Sequence, residues 1–280
     1  MADIIDGKRV ADSICKKLKE KLKHEPNAPT LAVILANNNS ASKIYVSAKE
    51  KKSAQIGIKT CIYRFDSSIT QGNLIKLIHE LNADDSVNAI LVQLPLYKHL
   101  NQNEILNIID PKKDVDGFHP INTGRLCSNL NPYAIPCTPK GILKLLNEYG
   151  IKLQGKNVVV VGRSNIVGKP LALLLTNHDA TVTLAHSKTK DLKKITKNAD
   201  ILISATGHPK LITADMVKKG AVVIDVGITR QLDKKLVGDV DFEKVKNQAS
   251  LITPVPGGVG PMTIACLMEN TYELFKIQNQ

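Results

Sequence analysis

Along the first half of the chain, the spacing of hydrophobic and polar positions switches repeatedly between a helical and an extended pattern. Helical spacing predicts helices over about residues 8–23, from Ser40 to a stop at Gly57, and after Thr70, which can cap its helix. Apolar runs predict strands at residues 31–36, 58–65 and 89–94. Strands that alternate with helices in this way are typical of βαβ units, so we expect a parallel sheet.

The middle of the chain breaks this alternation. Residues 110–139 carry repeated prolines and glycines, so we predict no regular element there. A helix is expected to begin near Thr138, and the alternation resumes at residue 157. The predicted order is a strand at 158–161, a loop with two glycines, a helix over 170–176, a strand at 180–184, a further helix, and strands at 200–204 and 221–226. This order predicts a doubly wound, nucleotide-binding sheet.

The fold class that we predict is therefore α/β with two domains. Residues 1–139 would form an N-terminal substrate domain around a parallel βα sheet, and residues 140–261 a Rossmann-like, doubly wound domain. A last helix, predicted from Pro261 to Phe275, is long enough to return, so about residues 262–280 are expected to pack on the N-terminal domain. A chain of 280 residues is long enough for two hydrophobic cores.

Composition narrows the class of protein. Apolar residues make up 43% of the chain and charged residues 23%, as in ordinary globular proteins. The five cysteines are scattered without partners at metal-ligand spacing, so we expect a reducing compartment, the cytoplasm, and no metal site. Neither an export signal nor a run of about eighteen apolar residues is found, so no contact with a membrane is expected.

The formal net charge of +12 has three possible explanations. Lysines are spread over the whole chain rather than gathered in one basic stripe with aromatic residues, which favours an ordinary solvated surface. An anionic substrate or cofactor is the second explanation. Nucleic acid is the third, and we expect no nucleic-acid partner.

The loop GRSNIVG, residues 162–168, is the first candidate site. It follows a strand of valines and opens a helix, where glycines let the backbone approach a pyrophosphate and the helix N-terminus stabilises its charge. Its spacing, G-x-S-x-x-x-G, departs from the usual G-x-G-x-x-G. An ordinary tight turn between strand and helix is therefore the alternative.

The segment after the next strand bears on the choice of dinucleotide. An NAD enzyme places a carboxylate there to bind both ribose hydroxyls, whereas this chain reads His186-Ser187-Lys188. A 2′-phosphate would instead find Arg163, a hydroxyl and an ammonium, so NADP is favoured over NAD. The alternative for Arg163 and Lys188 is that they are solvated surface residues.

Tyr45 and Lys49 lie four residues apart on the helix that begins at Ser40, so their side chains share one face. A lysine can carry protons at neutral pH only if burial or nearby positive charge lowers its pKa. Short-chain dehydrogenases also contain Y-x-x-x-K, but there the pair follows the glycine loop, whereas here it precedes the loop by more than a hundred residues. A chance surface pair is the alternative.

Other polar candidates follow predicted strands or lie in loops. Gln93 lies near the end of the run 89–94, where open α/β sheets bind ligands, although a capping role is equally open. Asp116 lies in the irregular segment, where a carboxylate can accept two hydrogen bonds from an amino-heterocycle, whereas Asp114 is better explained as a turn residue. The glycines of PVPGGVGP, residues 254–261, can let the backbone approach a nicotinamide and substrate, or this segment is a linker.

Taken together, these segments resemble the bifunctional methylenetetrahydrofolate dehydrogenase/methenyltetrahydrofolate cyclohydrolase family, the FolD type. The resemblance extends over essentially the whole chain, and its motifs occur in the family's order. They are SKIYVSAK (42–49), VQLPL (92–96), KDVDG (113–117), PCTPKG (136–141), VGRSNIVG (161–168), VIDVG (223–227) and PVPGGVGPMT (254–263).

This resemblance implies an enzyme of one-carbon folate metabolism. It would oxidise 5,10-methylenetetrahydrofolate with NADP and then hydrolyse the methenyl product to 10-formyltetrahydrofolate. The resemblance also implies a homodimer in the cytoplasm. Its partners would be tetrahydrofolate derivatives, whose polyglutamate tails the positive surface would attract.

The resemblance also implies roles for individual residues. Lys49 is expected to be the general acid/base of hydrolysis, with Gln93 hydrogen-bonded to it and helping to keep it partly neutral. Tyr45 would stack on the aminobenzoate portion of the folate, and Asp116 would hold the pterin. The implied substrate contacts further include Pro256 and Gly257, and the implied cofactor contacts are Gly162, Arg163, Ser164, Ser187 and Ile228.

Two rival functions stay open. One is a dehydrogenase that has lost the hydrolase, against which the presence of Tyr45, Lys49 and Gln93 speaks. The other is a catalytically silent NADP-binding or scaffold protein. Reduction of NADP in the presence of methylenetetrahydrofolate would distinguish the enzyme from the silent protein.

Overall fold

A computed structural model describes residues 1–231 and 235–279 of the chain. The strands in these ranges are β1 (Asp3–Ile4), β2 (Thr30–Leu35), β3 (Lys59–Arg64), β4 (Ala89–Val92), β5 (Asn157–Val161), β6 (Thr181–Ala185), β7 (Ile201–Ser204), β8 (Val222–Asp225), β9 (Thr229–Arg230), β10 (Leu236–Val237) and β11 (Leu251–Ile252). The helices are α1 (Gly7–Leu22), α2 (Ser40–Ile56), α3 (Gln71–Ala83), α4 (Gln102–Ile108), α5 (Pro120–Cys127), α6 (Cys137–Glu148), α7 (Gly168–Thr176), α8 (Leu192–Thr196), α9 (Phe242–Val245) and α10 (Val259–Gln278).

The chain divides into two compact units. One, the three-stranded unit, contains residues 13–135 and the chain from Leu267 onward, and the other, the six-stranded unit, contains residues 1–12 and 136–266. No helix among the described residues combines the length and the apolar character that crossing a membrane requires. The two-domain α/β fold predicted from the sequence is confirmed.

The three-stranded unit is built on a parallel sheet in the order β3-β2-β4. All of β4 is buried, and so is β2 after its first residue, as expected for parallel strands covered on both faces. Leu74, Ile78 and Leu81 lie on one face of α3 and join the core beside the sheet. The predicted strands and the Thr70 cap are therefore found where the pattern placed them.

Helix α2 carries the predicted Tyr/Lys pair, and both of its ends are fixed by local sequence. The side chain of Asn39 caps its start by accepting a hydrogen bond from the backbone N–H of Ala41. Gly57 ends it with φ +98°, in the left-handed region that favours glycine. The end of α10 packs in the same unit, where Nδ2 of Asn270 donates to the carbonyl oxygen of Val115 at 2.9 Å.

The six-stranded unit is a fully parallel sheet in the order β1-β11-β8-β7-β5-β6. From β5 the chain goes first to β6 on one side and then to β7, β8 and β11 on the other. The reversal makes a switch point between β5 and β7, where doubly wound sheets bind their ligands. Strand β1 pairs with β11 at the edge, so residues 1–12 lie in this unit, whereas the predicted N-terminal domain included them with residues 13–139.

The prediction that residues 110–139 hold no regular element was wrong, because α5 lies within them. Pro120 occupies the start of this helix, where the missing N–H leaves no hydrogen bond unmade, and Nδ1 of His119 accepts a 3.1 Å hydrogen bond from the N–H of Ile121. Proline thus begins a helix here rather than preventing one. The same reasoning explains why α10 begins at Val259, two residues before the predicted start at Pro261.

Candidate active site and cofactor site

The centre of the first candidate site is a contact between Lys49 and Gln93. Lys49 lies on α2 and is only 8% exposed, and its Nζ donates a 2.8 Å hydrogen bond to Oε1 of Gln93. Gln93 is the first residue after β4, at the carboxyl edge of the sheet. The structure therefore brings together two predicted residues that are 44 positions apart in the chain.

The orientation of Gln93 is fixed by several hydrogen bonds. Its Nε2 donates to the carbonyl oxygen of Leu94 at 2.9 Å, which leaves Oε1 facing Lys49. Asn37, buried just after β2, donates through Nδ2 to the carbonyl oxygens of Gln93 at 3.3 Å and Pro95 at 2.7 Å. Asn37 was not among the predicted site residues, because its role depends on the chain after β4 that folds beside it.

Tyr45 lies one turn before Lys49 on α2 and is half-buried. Burial raises the pKa of its phenol, so the ring carries a neutral hydroxyl at physiological pH.

The motif KDVDG, residues 113–117, begins with a structural lysine. Nζ of Lys113 donates to the carbonyl oxygens of Leu81 at 3.1 Å, Asn82 at 2.8 Å and Asp84 at 2.8 Å. These oxygens lie at the carboxyl end of α3, where a cation is stabilised by the helix dipole. Burial lowers the pKa of Lys113, and its ammonium is tied to the backbone rather than facing a ligand.

The two aspartates of this motif differ. Asp114 is 2% exposed, and its Oδ2 accepts from the N–H of His119 at 2.8 Å and from Nδ2 of Asn122 at 3.0 Å, which supports its interpretation as a structural residue. Burial raises the pKa of its carboxyl. Asp116 is half-buried and follows a parallel bridge between Asp114 and Ile90 of β4, so the chain leads from the bridge toward the same edge as Gln93.

The glycine loop of the six-stranded unit is closed tightly by its two glycines. Gly162 has φ +120°, and a Cβ there would overlap the carbonyl oxygen of Ala205. A Cβ on Gly168, the first residue of α7, would overlap the carbonyl oxygen of Gly162. Oγ of Ser164 accepts from the N–H groups of Val167 at 3.2 Å and Gly168 at 3.4 Å, so this predicted cofactor contact also shapes the loop.

The ribose end of the predicted cofactor site lies after β6. His186 and Thr189 form a compact turn, in which the N–H of His186 donates to Oγ1 of Thr189 at 2.8 Å. Ser187, Lys188 and, in the glycine loop, Arg163 are all exposed. These donors and the lack of a carboxylate in residues 186–188 fit a ribose that carries a 2′-phosphate.

The remaining predicted contacts follow β8 and β11 at the same carboxyl edge. Ile228 is 42% exposed, a large apolar side chain open to solvent beside Gly260. Pro256 is exposed, and Gly257 has φ +108° while its carbonyl oxygen accepts a 3.0 Å hydrogen bond from the N–H of Lys8. The structure thus places every predicted cofactor residue at the edge where the fold binds ligands.

Comparisons with known proteins agree with this geometry. The chain matches the family models for the tetrahydrofolate dehydrogenase/cyclohydrolase catalytic domain over residues 5–116 and NAD(P)-binding domain over residues 136–279. "Bifunctional protein FolD" of Campylobacter concisus is 55% identical over 271 residues, which cover 96% of this chain and 95% of that protein.

Solved structures show the same likeness. The bifunctional FolD enzyme of Campylobacter jejuni has a TM-score of 0.97 at 51% identity, with 99% of each chain covered. The Trypanosoma brucei FolD structure, complexed with NADP cofactor and inhibitor, has a TM-score of 0.95 at 38% identity, covering 100% of this chain and 99% of that one. From the matched models, relatives and structures together, this chain belongs to the tetrahydrofolate dehydrogenase/cyclohydrolase family.

Proposed function

We propose that this chain is a bifunctional enzyme of one-carbon folate metabolism. It oxidises 5,10-methylenetetrahydrofolate to 5,10-methenyltetrahydrofolate with NADP and hydrolyses that product to 10-formyltetrahydrofolate. Family membership supports both activities. The observation that carries the hydrolytic half is the 2.8 Å hydrogen bond from Lys49 to Gln93 in a buried position at the edge of the sheet.

The two units are assigned different ligand contacts. We assign the folate contacts of Lys49, Tyr45 and Asp116 to the three-stranded unit and NADP binding to the six-stranded unit. The glycine loop and the start of α7 would hold the pyrophosphate, while Arg163 and Ser187 would hold the 2′-phosphate. When bound, NADP accepts the hydride that leaves the methylene carbon, so the chain must mainly position its ligands and exclude water.

Hydrolysis places a different demand on the protein. Water adds to the amidinium carbon of the methenyl group and loses a proton, which gives a neutral carbinolamine. The bond from this carbon to N5 then breaks as N5 gains a proton, and the hydroxyl gives up its proton to solvent as the formyl carbonyl forms, so that one proton is released overall. Lys49 is assigned the first two transfers, as acceptor of the proton from water and then as donor to N5. Gln93 orients the amine through a neutral oxygen, without the negative charge that would hold a lysine protonated.

The other substrate contacts remain part of this proposal. Tyr45 offers a half-buried ring one turn from Lys49, suited to stacking on the aminobenzoate. Asp116 offers a carboxylate that can accept hydrogen bonds from the amino-heterocycle of the pterin. Pro256 and Gly257 are assigned to the substrate through the segment that follows β11.

Two assays of the purified chain test the function. With methylenetetrahydrofolate and NADP, NADPH absorbance should rise and the methenyl product should be converted to 10-formyltetrahydrofolate. With methenyltetrahydrofolate alone, hydrolysis should proceed without NADP. A chain that binds NADPH but performs neither conversion would contradict the proposal and favour the silent-binder alternative.

We also propose that the enzyme is a cytoplasmic homodimer that acts on polyglutamylated folates. The odd number of five scattered cysteines argues against a disulfide framework, which supports a reducing compartment, and the net charge of +12 suits an anionic tail. Light scattering should give a mass near twice the 30.5 kDa of one chain. KM should be lower for a polyglutamylated than for a monoglutamylated substrate at low salt, and equal values would contradict the tail-binding part.

A further inference from the structure

Two buried carboxylates lie in the part of the six-stranded unit that the structure describes, and the roles above use neither of them. Asp225 ends β8 and is 3% exposed, and Asp239, after β10, is completely buried. A carboxylate is rarely buried unless hydrogen bonds compensate for its lost hydration. The partners of these two groups therefore indicate what they hold in place.

Asp239 holds the end of β7. Its Oδ2 accepts from Oγ of Ser204 at 2.9 Å and from the backbone N–H of Thr206 at 2.7 Å. Between these two residues lies Ala205, whose carbonyl oxygen fills the space that a Cβ on Gly162 would need. Asp239 thus fixes the backbone against which the glycine loop packs.

Asp225 in turn holds the segment that carries Asp239. Its Oδ1 accepts from the N–H groups of Asp239 at 2.9 Å and Gly227 at 3.0 Å, and its Oδ2 accepts from the N–H of Val240 at 2.9 Å. A Cβ on Gly238 would overlap the Asp225 carboxylate, so this segment lies directly on it. The two aspartates form a chain of hydrogen bonds from β8 to the end of β7.

The hydrogen bonds of Asp225 and Asp239 lie beside the switch point of the sheet. Gly162 follows β5 and Ala205 follows β7, the two strands between which a doubly wound fold binds its ligand. Gly227, bonded to Asp225, immediately precedes the predicted cofactor contact Ile228. Shifts of the backbone at either place would move groups that border the dinucleotide.

We propose that Asp239, held by Asp225, is a positioning residue for NADP that sets the backbone of Ala205 and Thr206 beside the glycine loop. This inference rests on the proposed function, because it takes NADP as the ligand. Asp239 acts through Thr206 and Ser204 and touches no reacting atom in this assignment. Its effect belongs to cofactor binding and leaves hydrolysis of the methenyl substrate to the other unit.

The substitution Asp239→Ala removes the oxygen that accepts from Oγ of Ser204 and from the N–H of Thr206. The end of β7 then loses both of these hydrogen bonds. We expect Kd for NADPH and KM for NADP to rise by about 10-fold to 100-fold, as for a lost hydrogen bond to a charged group. Hydrolysis of supplied methenyltetrahydrofolate should stay within about 2-fold of wild type, since no hydrogen bond of Asp239 reaches the residues assigned to it. Asp239→Asn keeps an amide oxygen for Thr206 and should recover most of the binding.

Asp200→Ala is the matched control, because Asp200 lies in the same unit but before β7 rather than after it. Its carboxylate accepts from the N–H of Asn157 at 3.0 Å and from Nζ of Lys218 at 2.6 Å. The substitution therefore removes a comparable interaction at the amino edge of the sheet. Circular dichroism of each variant would establish that the unit is folded.

The outcomes separate this proposal from general destabilisation and from the proposed function. Weaker NADPH binding in Asp239→Ala, with recovery in Asp239→Asn and none of the effect in Asp200→Ala, supports the positioning role. Wild-type affinity in Asp239→Ala, or equal weakening in Asp200→Ala, overturns it. Should Asp239→Ala not fold, Ser204→Ala provides the test because it removes one of the two donors to Asp239; weaker NADPH binding supports the proposal, and wild-type affinity overturns it. Direct NADPH titration needs no folate turnover, so failure of the enzyme assay would refute only the proposed function.

Discussion

The amine of Lys49 meets an amide oxygen, since its Nζ donates a 2.8 Å hydrogen bond to Oε1 of Gln93. A carboxylate in that place would add a negative charge and favour the ammonium form. A neutral acceptor orients the amine without this electrostatic bias. The difference between this amide and a carboxylate in its place is the physical basis of the Gln93→Glu prediction below.

Replacing Lys49 by methionine keeps a long side chain in the buried position but removes the group that transfers protons. We expect Lys49→Met to lower the cyclohydrolase rate by at least about 100-fold, the usual contribution of general acid–base catalysis. NADP reduction should partly survive, because hydride transfer needs no proton carrier. Lys43→Met, an exposed position on the same helix, is the control, and equal retention of both activities in Lys49→Met would refute the assigned role.

Gln93→Glu changes the charge beside Lys49 with almost no change of shape. The new carboxylate should raise the pKa of the lysine by about one unit or more, as opposite charges at hydrogen-bond distance do. The rising limb of the cyclohydrolase pH profile should therefore move to higher pH. A pH–rate series for both proteins measures this shift, and coincident profiles would show that Lys49 does not titrate in the reaction.

Arg163→Ala tests the preference for NADP. Loss of a charged hydrogen bond to the 2′-phosphate should raise KM for NADP by about 10-fold or more, whereas KM for NAD should change little because NAD lacks that group. Steady-state kinetics with both dinucleotides give the ratio of KM for NADP to KM for NAD directly. Lys219→Ala, an exposed cation at the amino edge of the sheet, should leave the ratio unchanged. An unaltered ratio in Arg163→Ala would contradict the assignment of Arg163 to the 2′-phosphate of NADP.

Much of the fold and part of the site follow from local pattern. The buried strands β2 and β4 are short apolar runs, and the four-residue spacing on α2 is enough to put Tyr45 and Lys49 on one face. The sequence predicts Gln93 as a site residue because polar residues at strand ends border ligand sites in parallel sheets. Such features depend only on neighbouring residues and on general rules of α/β folds.

Other features depend on contacts between distant parts of the chain. The two-residue strand β1 exists through its pairing with β11, and no run of so few residues carries a pattern. Asn37 resembles any loop asparagine until the chain after β4 is folded beside it. Asp225 and Asp239 likewise become a connected pair only when the end of β7 lies against them.

Gly168→Ala tests the close packing of the glycine loop. The added Cβ would overlap the carbonyl oxygen of Gly162, so the loop must open or the start of α7 must shift. We expect NADPH binding to weaken by at least about 10-fold and the protein to lose a few kcal/mol of stability, as overpacked sites do. Gly72→Ala is the control because its Cβ meets open space in α3, and there alanine should stabilise by about 0.5–1 kcal/mol. NADPH titration and thermal unfolding of both variants measure these effects, and tight cofactor binding by Gly168→Ala would contradict the loop geometry.

The raised pKa of the buried Asp225 carboxyl predicts that the free energy of unfolding depends on pH. Burial raises its pKa to about 6, whereas an unfolded aspartate titrates near about 3.9, so the folded protein holds this proton over a wider pH range. Stability from this group is therefore full below about pH 4 and declines as pH rises to about 6, by up to roughly 3 kcal/mol. Asp225→Asn cannot titrate, so the stability of wild type relative to this variant should fall over the same interval and level off above it. Calorimetric unfolding of both proteins from about pH 4 to pH 7 measures the difference. A constant difference would show that Asp225 is already ionised throughout, and a rising one would mean that its hydrogen bonds outweigh its desolvation.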